Sequence, residues 1–281
     1  MSRVVDVYAT VKDAKGRLVT RLGRDQFELR EDGVPQQVDY FANETDAPLS
    51  LALVIDSSAS QAQILPTERE KARAFLGTVL GPSDRAFVVR FDRDVEVLQG
   101  LTNEMSLLAS AIDSVRTDPG PIPADRSEGS RPRGTRLYDA IQRASGLLGG
   151  EKGRKALVLL TDGEDQGSRT TRDGALEAAE RAEVMVYSVL VADPLFYWAH
   201  GRGFRGEAAL AALQKKTGGF MVRPEAARGL EEIASEIRAQ YRLGYMPRRT
   251  RYDGSFRRLE VRLPGGRYTV RARRGYYATA E

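Results

Sequence analysis

The chain has 281 residues, of which 41% are hydrophobic and 29% charged, enough to bury one large core or two modest ones. Its net charge of +4, from 43 basic and 39 acidic residues, is a slight and dispersed field that does not point to nucleic acid. Cysteine is absent and histidine occurs once, at His200, which excludes thiolate chemistry, disulfides, Cys-ligated zinc and a His-rich metal site.

In chain order, Val4 to Val11 is strand-like, and Asp13 to Gly16 supplies a turn, as for half of a hairpin. Alternation over 25–30 and 34–41, around a turn at Glu31, Asp32 and Gly33, predicts two further strands. Residues 1–45 therefore read as the first part of a β domain, and Asn43 to Pro48 as a linker. The period then changes. Leu51 to Ile55 is a short apolar run of the kind buried on both faces of a parallel sheet. Apolar positions at Ala72, Phe75, Leu76, Val79 and Leu80 predict a helix stopped by Gly81 and Pro82. Strands are predicted over 86–91, 95–98, 156–161, 184–191 and 219–222, and helices over 103–115, 138–148, 173–182, 207–216 and 230–240. Such alternation implies a doubly wound, mostly parallel α/β sheet over residues 46–240. Three strand-like runs over 241–245, 256–263 and 267–273 return the chain to β. Neither terminal β segment builds a core easily alone, so 1–45 and 241–281 are expected to pair into one small sandwich-like domain into which the α/β domain is inserted.

The chemistry gathers where the apolar strands end. Leu51 to Ile55 leads into Asp56, Ser58 and Ser60, Leu157 to Leu160 leads into Thr161, Asp162 and Gly163, and Gly134, Thr135 precede a helix. Loops at the carboxyl ends of strands hold the sites of doubly wound sheets. Asp56, Ser58, Ser60, Thr135 and Asp162 are five oxygen side chains from three loops, suited to a hard cation. Because the hydroxyls are neutral, an ion held by Ser58, Ser60 and Thr135 keeps much of its charge and seeks a further anion. Taken singly, each of the five fits a turn or a helix cap equally well; their joint pattern is what points to a metal.

With the order D-x-S-x-S, a separate Thr and a separate Asp, the chain resembles the von Willebrand factor type A family, and in particular a bacterial subfamily with flanking segments like Gln26 to Gln36, Gln240 to Tyr245 and Arg274 to Tyr277. The resemblance implies a metal-ion-dependent adhesion site on Asp56, Ser58, Ser60, Thr135 and Asp162. The expected ion is Mg²⁺, with Mn²⁺ or Ca²⁺ as alternatives, completed by an Asp or Glu carboxylate of a protein partner. It implies an adhesion-type interaction module rather than an enzyme. The alternatives are a structural scaffold whose metal site has no function, and a metal-assisted phosphoryl transferase with Asp56 as nucleophile. For the last, neither a general base nor a phosphate-binding loop is evident.

Two loops are expected at the metal's edge of the sheet. Thr117 to Arg133 carries Arg126, Arg131 and Arg133, and Ala192 to Phe204 carries Phe196, Tyr197, Trp198 and His200; Arg131, Arg133, Tyr197 and Trp198 are the candidate partner-binding residues. The same aromatics would serve equally as packing over their own domain. No apolar run reaches the ~20 residues of a membrane-spanning helix, and Met1 to Thr10 lacks the features of a signal peptide. The resemblance nonetheless leans towards an exported, periplasmic or extracellular setting. It also links the last helix, 230–240, to rearrangement of the metal loops, so that a bound ligand would tilt the β domain that follows almost without a linker.

Overall fold

A computed structural model describes residues 4–43, 47–117, 134–191, 206–223 and 228–279. At its centre lies β5 (Leu49–Asp56), hydrogen-bonded in parallel to β6 (Arg85–Phe91) on one side and β8 (Arg154–Thr161) on the other. β9 (Met185–Leu190) and β10 (Met221–Val222) extend the sheet in parallel beyond β8. β7 (Val95–Thr102) closes the other edge and is antiparallel to β6, to which the short acidic turn returns it. The order is β10-β9-β8-β5-β6-β7, the expected mostly parallel α/β sheet.

Side-chain alternation along β5 explains why its sequence is apolar without a break. Leu51, Leu53 and Ile55 pack with α1 (Leu65–Val79), α2 (Met105–Ser114) and α6 (Gly229–Arg238), through residues such as Phe75, Ile112 and Ile237. Ala52 and Val54 face α3 (Leu137–Gly149), α4 (Arg172–Arg181) and α5 (Gly206–Thr217), through Ile141, Ala179 and Leu210. Both faces of the strand are therefore dry.

The two ends of the chain form two four-stranded antiparallel sheets. One sheet runs β13-β1-β11-β4, with β1 at Val5–Asp13, β4 at Tyr40–Ala42, β11 at Tyr241–Tyr245 and β13 at Tyr268–Ala272. The other runs β14-β12-β2-β3, with β2 at Glu28–Glu31, β3 at Val34–Gln36, β12 at Phe256–Arg262 and β14 at Gly275–Tyr277. Val5, Val7, Val11, Leu29, Leu243, Leu259 and Tyr276 share the core between them.

Three details differ from the reading of the sequence. β1 is not half of a local hairpin: its register runs Val7 to Leu243 and Val11 to Val270, and the local return is a single bridge from Lys12 to Leu18. The alternating stretch 34–41 divides into β3 and β4, which belong to different sheets. The C-terminal segment contributes four strands, because β14 pairs with β12 after the turn that ends β13. In each case a period-two pattern shows a strand but not its partner.

Candidate metal centre

β5 delivers Asp56, fully buried, to the carboxyl edge of the sheet. The chain then turns sharply: the Ser58 amide donates to Asp56 Oδ1 at 2.9 Å, and residues Ala59–Gln61 form one 3₁₀ turn before α1 begins. This local turn stacks the hydroxyls of Ser58 and Ser60 3.0 Å apart. β8, the neighbouring strand, delivers Asp162, and the Ser60 hydroxyl donates to its Oδ2 at 2.6 Å. Asp56, Ser58, Ser60 and Asp162 thus form one buried run of oxygens, none more than 8% exposed.

Thr135 reaches the same edge by its backbone. Its carbonyl accepts the amides of Gln166 at 3.0 Å and Gly167 at 3.3 Å, which ties its loop to the loop after Asp162. The two loops approach so closely that a Cβ on Gly134 would lie 2.3 Å from Gln166 Cβ. Among the described residues its hydroxyl makes no hydrogen bond to the other four. The candidate partner residues Arg131, Arg133, Tyr197 and Trp198 lie outside the described residues.

Two residues that the motif did not single out hold the centre in shape. Thr161 Oγ1 donates to Asp56 Oδ2 at 2.7 Å and accepts the Gly163 amide at 3.0 Å. The Gln61 side-chain amide donates to Asp162 Oδ2 at 3.1 Å and to the Val191 carbonyl at 3.3 Å, linking β5's loop to the end of β9. Both are adjacent in sequence to motif residues and fully buried, so their polarity next to an apolar strand end was the available signal. The neighbouring Asp165 serves the scaffold, accepting the Ser168 hydroxyl and the Tyr138 amide at the start of α3.

Burial, and then the charge of Asp162, pushes the Asp56 carboxyl up to about 7, against the hydrogen bonds from Ser58 and Thr161 that favour its ionised form. Two acids forced together in a dry site disfavour joint ionisation, and a cation between them relieves it. Among the described residues no three His, Cys, Asp or Glu side chains gather as metal ligands. Hydroxyl and carboxylate oxygens are the donors on offer, and that set fits a hard divalent ion that keeps some of its water.

Residues 51–164 match the von Willebrand factor type A domain. None of the curated proteins matches the chain. Among solved structures the chain is similar to the conserved hypothetical protein BatB from Bacteroides thetaiotaomicron, at 18% identity over 67% of this chain and 97% of that one, with a TM-score of 0.47. It is also similar to the vWF domain of the type V pili tip protein Mfa5 from Porphyromonas gingivalis, at 13% identity over 69% and 96% of the two chains and a TM-score of 0.48. A third similar structure is the PilB minor pilin from Streptococcus sanguinis, at 14% identity over 69% of this chain and 61% of that one, with a TM-score of 0.48. The matched segment runs from the central strand through the Asp56 turn to the loop of Asp162, so the similarity to the von Willebrand factor type A domain falls on the strands and loops that build this centre.

Proposed function

We propose that this chain is a divalent-metal-dependent protein-binding module, in which Asp56, Ser58, Ser60, Thr135 and Asp162 hold Mg²⁺, or Mn²⁺ or Ca²⁺ in its place, and a partner presents an Asp or Glu carboxylate to it. The observation that carries this reading is the buried file of Asp56, Ser58, Ser60 and Asp162, two acids bracketing two hydroxyls at the carboxyl edge of the sheet. Von Willebrand factor type A domains are commonly protein-interaction modules. When bound, the ion supplies a positive centre for the partner's carboxylate. Asp56 is oriented by the Ser58 amide and Thr161, and Asp162 by Ser60, Gln61 and the Glu164 amide, so both carboxylates are held in place from behind. Ser58 and Ser60 offer neutral oxygens that leave the charge of the ion largely uncompensated. The module recognises a partner and does not catalyse a reaction.

Calorimetric titration of metal-stripped protein with Mg²⁺, Mn²⁺ and Ca²⁺ tests the site. Saturable binding is expected, and it should disappear in the double variant Asp56→Ala, Asp162→Ala. Acetate titrated into the metal-loaded protein then probes the carboxylate preference. Absence of uptake of all three ions by the wild type removes the metal reading.

A further inference from the structure

A cavity of about 370 Å³ opens between α1, α6 and the carboxyl ends of β8 and β9. Small-molecule sites occupy about 300–1,000 Å³, and this one falls at the lower end. Its floor is apolar, built from Phe75 of α1, Leu160 of β8, Val189 and Leu190 of β9 and Leu230 of α6. Ala74 and Ala234, small residues on the two helices that line it, leave the room.

The charge around this floor has one sign in excess. Lys71 on α1, Arg223 after β10 and Arg228 at the start of α6 line the cavity, with Glu231 and Glu68 as the acids. Glu68 is 7% exposed and neither of its carboxyl oxygens has a hydrogen-bond partner, which disfavours its ionised form. Burial first, and then the charges of Asp56 and Asp162, push that carboxyl up to about 8, so it is uncharged at neutral pH. Arg223 pairs with Glu207, and Arg228 lies 3.6 Å from Glu231. Both are exposed pairs, weak enough to share a guanidinium with a further anion. Lys71 is exposed and makes no ion pair among the described residues. With each guanidinium already facing one acid, the excess is close to a single positive charge, the complement of a monoanion.

We propose that this cavity binds an aliphatic monocarboxylate, with its hydrocarbon chain on Phe75, Leu160, Val189 and Leu230 and its carboxylate among Lys71, Arg223 and Arg228. A cationic mouth over an apolar floor is the reverse image of such a ligand, and guanidinium groups donate paired N–H bonds to a carboxylate. Because Glu68 is uncharged, the floor holds no anion to repel it. The site is separate from the metal centre: Asp56, Ser58, Ser60, Thr135 and Asp162 are not among its described lining residues.

Calorimetric titration of the full chain at pH 7 with octanoate, octanol and octylammonium tests the assignment. Octanoate should bind saturably and about tenfold more tightly than octanol, the gain of one charged hydrogen-bonded end, with octylammonium weaker than both. Each methylene added from hexanoate to octanoate should tighten binding about fourfold. Lys71→Met should weaken octanoate about two- to fivefold and leave octanol unchanged. Ala74→Trp, at an exposed helix position on the cavity wall, should abolish octanoate uptake without lowering the melting temperature. No saturable uptake of octanoate, uptake that survives Ala74→Trp, or octylammonium bound as tightly as octanoate overturns the inference. Metal uptake is read in a different titration, so the metal reading stands or falls independently.

Discussion

At the scale of single residues, burial governs the candidate site more than ligand identity does. Asp56 would be an ordinary turn acid at the surface; at the end of a strand that is dry on both faces it is held up to about 7, and Glu68, by burial and then by Asp56 and Asp162, up to about 8. Unfolded carboxyls titrate near 4, so between roughly pH 4 and pH 8 the folded metal-free chain binds more protons than the unfolded one. Stability carried by these groups is therefore fully present below about pH 4 and is lost as pH rises through 7 to 8. The melting temperature of chelator-treated protein should fall between about pH 5 and pH 8, and Glu68→Gln should flatten that fall. A wild-type profile that rises over the same interval would contradict the assignment. D-x-S-x-S was legible because all its members lie within five residues of one strand end. Glu68 was not, since a lone Glu in a helix reads as solvated until the cavity shows what lies over it.

At the scale of elements, the β-sandwich is joined by a buried polar cluster drawn from both chain ends. Glu31 of β2 accepts the hydroxyls of Tyr245 and Tyr276 and lies 3.1 Å from the Arg257 guanidinium, which also binds the Arg249 carbonyl at 2.7 Å. Arg257 is fully buried and Glu31 nearly so. Removing one member of such a pair strands the other charge, so Glu31→Ala should cost about 3–5 kcal/mol in urea denaturation. A loss below about 1 kcal/mol would mean that the cluster does not join the two sheets. The sequence marked the Glu31 turn, whose Asp32 and Gly33 adopt positive φ of 49° and 82°, but gave no hint of a partner 226 residues away. Hydropathy alternation records which face of a strand is buried and is silent on what lies across it.

At the scale of the whole molecule, α6 is one of the contacts between the α/β unit and the antiparallel sheets, beside the Arg274 amide on the Lys216 carbonyl and the Arg273–Glu183 pair. Ile233, Ala234 and Ile237 belong to the α/β core, while Glu236 on the same helix meets Lys12 of β1 and Arg271 of β13, each at 3.0 Å. Both cations also lie over the Phe220 ring, at 4.9 and 4.7 Å. A partner that displaces the helix is expected to act on the antiparallel sheets through these contacts. Glu236→Ala leaves two cations short of their shared acid and should cost about 1–3 kcal/mol. Calorimetry should then resolve one unfolding transition in the wild type into two in the variant. A single transition in both would show that this clamp does not couple the units. Small-angle scattering of metal-loaded protein with and without a bound partner checks the tilt itself, and identical profiles would exclude it.

The linear chain determined most of the strands and helices, the mostly parallel α/β class, and the oxygen side chains that end β5 and β8, because apolar periodicity and short motifs are local properties. Tertiary structure decided what those elements touch. It sent β1 to β11 and β13, divided the terminal strands between two sheets, placed Thr161 and Gln61 around the acids, and buried Glu68 in the wall of a cavity. Each of these depends on packing between residues far apart in sequence, where the free energy lies in the contact and not in either segment alone.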